Sequence, residues 1–202
     1  FGNYARIEDS TLDESSATYG GAVYLDAWGA VIKGSIITEC SATYSGGAIY
    51  VAGGGTNIID SDFELCRAEG TTYTRGGGAI FISGPDTHIS NSDFNDNHVS
   101  SNNACGGTIY IEGERTIIDA SYFNESYAGE GGIIYIIGEQ AVIDSSTFAN
   151  SSSRSYGGAI SIHGHNATIR DSIFENVQST NSYGGAIFID GADTNILTSS
   201  FY

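Results

Sequence analysis

Methionine is absent from the 202 residues, proline occurs once, and lysine occurs once, at Lys33. Seven basic residues face 24 acidic ones, a formal charge of −17. A nucleic-acid partner needs a cationic patch, and seven scattered basic residues build none against that field. The longest apolar run is a handful of residues, too short for a membrane-spanning helix, so no membrane insertion is expected. Glycine is abundant, at 28 residues, but not at every third position, which excludes collagen. With 40% hydrophobic and 11% aromatic residues the chain has the material for a packed core, which argues against disorder. It opens Phe1-Gly2-Asn3 with no visible leader, which reads as a processed chain or a fragment.

What is present is a repeat. Gly-Gly recurs at Gly20, Gly46, Gly77, Gly106, Gly131, Gly157 and Gly184, at intervals of 26, 31, 29, 25, 26 and 27. Each pair leads a strand-like segment such as AVYLD, AIYVA or AIFIS. A second pattern, [AT]-x-I-x-x-S-x-[FLI], occurs eight times and keeps its serines in fixed register from Ser10 to Ser199. A period of about 27 residues, with two short strands, glycine corners and no helical stretch, predicts an all-β fold. The expectation is one parallel β-helix (β-solenoid) of about eight coils over residues 1–202, with uncapped ends. Identical columns then stack about 4.8 Å apart.

Alternation assigns the faces. The second and fourth residues of the Gly-Gly strand are aliphatic (Val23/Leu25, Ile109/Ile111, Ile134/Ile136) and are expected inside. The Ala/Thr, Ile, Ser and Phe columns of the second pattern complete this core. A buried serine column requires that every hydroxyl find a partner. The opposite parity holds Tyr24, Tyr50, Phe81, Tyr110, Tyr135, Ser161 and Phe188, with small residues such as Ala48 and Ala79 beside them. Further tyrosines (Tyr19, Tyr44, Tyr73, Tyr127, Tyr156, Tyr183) precede the glycines. This outer aromatic stripe is either cross-strand stacking that stabilises the sheet or an apolar surface made for contact.

The pairing of GGA[IV] strands with F-x-x-N-like segments, as at Phe94–Asn97, resembles the repeats of chlamydial polymorphic outer-membrane proteins and of archaeal adhesin-like right-handed β-helix proteins. The resemblance covers essentially the whole chain and implies a cell-surface, extracellular setting and a non-enzymatic role. A looser resemblance is to the amyloid-like sheath proteins of methanogenic archaea. It rests on stacked coils, an acidic surface and an odd cysteine count, and implies self-assembly locked by disulfides.

Enzymatic chemistry finds few footholds. Lyases acting on anionic sugars use Lys or Arg as base and clamp, and the seven basic residues share no column. Glycosidases need a carboxylate pair. His163 and His165 are the pair to weigh as metal ligands, against a solvated corner. The acidic residues Glu14, Glu39, Glu64, Asp96, Glu125 and Glu175 are weighed as a Ca²⁺ edge, against a solubilising face. Neither pattern is specific, and no cofactor or metal is expected. Asn124-Glu125-Ser126, Asn150-Ser151-Ser152 and Asn166-Ala167-Thr168 fit glycosylation acceptors, as an Asn- and Ser-rich chain would also do by chance.

The cysteines are the strongest local signal. Cys40 and Cys66 occupy one column in adjacent coils, either as a disulfide or as two reduced thiols filling a slot. Cys105 has no column partner, which suggests an intermolecular bond or a reactive thiol. Two functions follow. The leading one is a self-assembling subunit of a surface sheath or filament, a homopolymer joined head to tail and laterally. The alternative is an adhesin segment that binds glycans or proteins through its aromatic face and loops.

Overall fold

The computed structural model describes residues 3–70 and 75–202. Tyr73 of the tyrosine series lies outside the described residues. All described elements are short strands in parallel register, and no helix occurs among the described residues. They form four sheets running along a parallel β-solenoid. An isoleucine sheet runs from Arg6–Glu8 to Asn195–Leu197, and a phenylalanine sheet from Thr11–Asp13 to Ser200–Phe201, with eight strands each. A corner sheet runs from Ser16–Tyr19 to Gln178–Ser179, and a glycine-led sheet from Val23–Leu25 to Ile187–Ile189, with seven strands each. The chain therefore makes about seven coils, one fewer than the eight copies of the second pattern, because only seven strands follow a Gly-Gly corner.

The corners are set by left-handed backbone at fixed positions. The first glycine of each pair has positive φ, from 58° at Gly20 to 71° at Gly77. The second glycine is needed for another reason: a Cβ at Gly47 would lie 1.9 Å from the Gly78 carbonyl oxygen of the next coil. Before the serine column, Asp9, Asp60, Asn91, Ala120, Ser145, Asp171 and Thr198 also take positive φ, several without the usual Asn or Gly. The serines satisfy the groups that this turn would strand. Each hydroxyl of Ser35, Ser61, Ser92, Ser121, Ser146, Ser172 and Ser199 accepts the N–H of the preceding coil's serine at 3.2–3.3 Å. It donates to the carbonyl two residues back in its own coil, as Ser121 does to Asp119 at 2.8 Å.

The core follows the assigned parity. Ile49, Ile80, Ile109, Ile134 and Ile160 are buried, with Ile32 through Ile169 opposite and a stack of Phe63, Phe94, Phe123, Phe148 and Phe174 closing the side. The phenylalanine rings are nearly parallel, with centroids 4.7–5.0 Å apart. One column departs from the expected alternation. Ala48, Ala79, Thr108, Ile133 and Ala159 are inside, not beside the outer aromatics. The backbone explains this. The Ala79 carbonyl accepts the N–H groups of both Ala48 and Ile49 at 2.9 Å, and the same doubling recurs in other coils. Two consecutive residues thus oppose one, a bulge that turns both side chains inward.

Candidate functional site

The middle residue of each glycine-led strand points away from the core, and the rings stack into a column. Successive centroids are 5.0 Å for Tyr24–Tyr50, 4.7 Å for Tyr50–Phe81, 5.1 Å for Phe81–Tyr110 and 5.0 Å for Tyr110–Tyr135. Strand spacing sets this separation, and it turns ring faces toward one another. Along the column the rings therefore offer edges outward, where a sugar would need a face.

The stripe is not uniformly open. Phe81 is 0% exposed and Tyr110 4% exposed, which corrects their assignment to a free outer surface. The two longest Gly-Gly intervals, 31 and 29 residues, end at Gly77 and Gly106, and among the described residues before these glycines Arg75 and Cys105 lie against the two rings. Cys105 packs on Phe81 and Tyr110. The Arg75 guanidinium lies 5.8 Å from the Phe81 centroid and 3.0 Å from Glu112. Burial pushes the Tyr110 phenol up, and Glu112 is raised by burial against the opposing pull of Arg75.

At Ser161 the column loses its ring, and His163, two residues on, supplies the missing rung. Its imidazole centroid is 5.1 Å from Tyr135 and 5.7 Å from Phe188. His163 Nε2 lies 2.7 Å from Glu130 Oε1 and 3.3 Å from Ser161 Oγ, and Nδ1 lies 3.7 Å from Asp190. Serine, imidazole and carboxylate do meet here. However, Ser161 is fully buried and donates its proton to Glu130 at 2.7 Å, so its oxygen has no access to a substrate. The group fixes the imidazole in the column. His165 is not part of it, since its Nδ1 accepts the Ala192 N–H at 3.0 Å. Among the described residues no group of three or more His, Cys, Asp or Glu side chains could hold a metal.

The acidic residues weighed as one edge fall into two columns. Glu14, Glu39, Asp96 and Glu125 occupy left-handed corner positions, whereas Glu64 and Glu175 sit inside strands of the phenylalanine sheet. A different polar row runs past them. Asn124 Nδ2 donates to Asn95 Oδ1 at 2.8 Å, Asn150 to Asn124 at 2.8 Å, and Asn176 to Asn150 at 3.2 Å.

All three cysteines are free and buried. Cys40 and Cys66 do share a column, and their thiols act as the serines there do. Cys40 Sγ donates to Thr38 O at 3.1 Å and Cys66 Sγ to Glu64 O at 3.4 Å, as Ser15 donates to Asp13 O at 3.2 Å. In this structure both stand as free thiols filling one slot of the column. Cys105 is 3% exposed, and burial, with the nearby Glu130 charge, pushes its thiol up to about 12. So covered, the thiol is not presented at the surface where an intermolecular bond would form.

The aromatic surface is open at both ends, at Tyr183 in the last coils and over a larger group of rings in the first. Tyr19 stacks on Tyr44 at 5.3 Å and meets Tyr50 edge-on at 5.5 Å, while Tyr24 is 56% exposed. Trp28, which the repeat pattern does not mark, follows in the next turn. Its ring lies on Gly54, where a Cβ would come within 2.3 Å, yet the residue is 51% exposed. Trp28 therefore differs from the column rings in being backed by glycine and not by another ring. No protein-family model, curated protein or solved structure matches this chain.

Proposed function

We propose that this chain is a non-enzymatic segment of an extracellular, cell-surface solenoid that contacts neutral glycans through the aromatic group of its first coils. The observation that carries this reading is the half-open Trp28 ring on its glycine corner, in the same first coils as exposed Tyr19, Tyr24 and Tyr44. An aromatic face backed by a glycine corner is a platform on which a pyranose ring stacks. The net charge of −17 repels uronate and sialylated chains, which leaves uncharged saccharides as the ligand class. The resemblance to adhesin-like β-helix repeats supports the cell-surface setting. The test is binding of the purified protein to immobilised glucans, mannans and galactans, with a polyuronate as charge control. Saturable binding to a neutral polysaccharide, lost in Trp28→Ala, supports the reading. Binding that survives Trp28→Ala, or that goes only to the polyuronate, overturns it.

A second reading is the self-assembling sheath or filament subunit, and one observation favours it. The same exposed aromatics could be buried between two copies. Disulfide locking drops out of this version, since the three thiols are buried and free. Lateral association against −17 per chain would then strengthen with salt, and sedimentation at low and high ionic strength separates the two readings.

A further inference from the structure

We infer that Asn166 is an acceptor for an N-linked glycan, and that the other two Asn-x-Ser/Thr triplets are not; this rests on the extracellular reading above. The three triplets look equivalent in sequence, and the fold separates them. At Asn124 the hydroxyl residue is Ser126, which is buried and hydrogen-bonded to Thr108, and the Asn124 amide is tied to Asn95. At Asn150 the amide nitrogen donates to Asn124 and the amide oxygen accepts from Asn176, so both ends of the group are held in the asparagine row. A sugar on either nitrogen would have to displace that row.

Asn166 stands differently. It occupies the left-handed corner between the glycine-led and isoleucine sheets, with φ of 58° and an exposed side chain. Its backbone N–H is satisfied by Ala192 O at 2.9 Å, so the corner holds without the side chain. Thr168, two residues on, begins the strand Thr168–Arg170, in which Ile169 points inward and Thr168 outward. Amide and hydroxyl are thus presented together on the surface, as an acceptor triplet requires.

The co-reactant is a lipid-linked oligosaccharide. The Asn166 amide nitrogen attacks the anomeric carbon of its first sugar and forms a C–N bond. The bond from that carbon to the lipid phosphate oxygen breaks, and the phosphate leaves with the electron pair. The proton lost from the amide passes to the departing phosphate.

Trypsin separates the sites. Cleavage after Arg154 and Arg170 isolates Asn166 on peptide 155–170, whereas Asn124 and Asn150 travel together on peptide 116–154. Mass spectrometry of protein isolated from its native cells should find glycan mass on 155–170 and the bare mass for 116–154. Thr168→Val, made in the native host, should restore the bare mass of 155–170 while keeping Asn166; Asn166→Asp serves if that variant does not accumulate. An unmodified 155–170, or glycan on 116–154, overturns the inference. Immunogold labelling of the same intact cells tests location separately. An unlabelled surface sinks the extracellular reading and this site with it, whereas a labelled surface with bare 155–170 sinks the site alone.

Discussion

The Ser121 hydroxyl accepts the Ser92 N–H of the preceding coil at 3.2 Å while donating to the Asp119 carbonyl in its own coil. One buried oxygen thus satisfies the Ser92 N–H, which the left-handed turn at Asn91 takes out of the sheet ladder, and gives a second donor to a carbonyl that also accepts the Asn91 N–H at 3.2 Å. Ser121→Ala should strand the Ser92 N–H, at a cost of about 1–3 kcal/mol. A matching fall in the urea midpoint, with an unchanged circular dichroism spectrum, is the expected result.

Ile109 and Ile134 are fully buried and adjacent in register. Ile109→Asp or Ile134→Asp places an unpaired charge in the stacked core and should prevent folding. Protease resistance and a native β spectrum in either variant would reject the assignment of this face to the interior.

The aromatic column should divide by burial. Phe81→Ser removes a fully covered ring and should cost about 3–5 kcal/mol. Tyr24→Ser, at the open end, should stay within about 0.5 kcal/mol of wild type. Equal losses at both positions would mean that the cover over Phe81 does not form.

Asp62 and Asp93 face each other in neighbouring strands of the phenylalanine sheet. Burial, with the charges of Asp93 and Glu64, raises the Asp62 carboxyl above its ordinary value. A carboxyl raised on folding favours the folded state below its unfolded pKa, and that contribution disappears as pH rises through the folded pKa. Asp62→Asn should therefore stabilise at neutral pH, by about 0.2–1 kcal/mol. The gain should shrink as the pH is lowered into the carboxylate range, a trend that melting curves at several pH values would show.

The repeat period made the solenoid and most of its core legible, because each column recurs at one register and a core column is apolar in every coil. Three features needed the backbone. The inward Ala48 column depends on a bulge that a strict alternation misses. The cover over Phe81 and Tyr110 comes from Arg75 and Cys105, two corner residues that belong to no repeating column. The role of His163 depends on a side chain reaching back into the gap left by Ser161, and on Glu130 from the corner one coil earlier. Trp28 has no counterpart in the other coils, so a search for repeats passes over it.

The contact role of the first coils is tested most directly by the fluorescence of Trp28, the single tryptophan of the chain. Emission is followed while a neutral polysaccharide that the protein binds is titrated in, with the polyuronate as control. The account predicts a saturable blue shift with the neutral polysaccharide alone, as the half-exposed indole is covered. Binding of that polysaccharide with no change in Trp28 emission would contradict it.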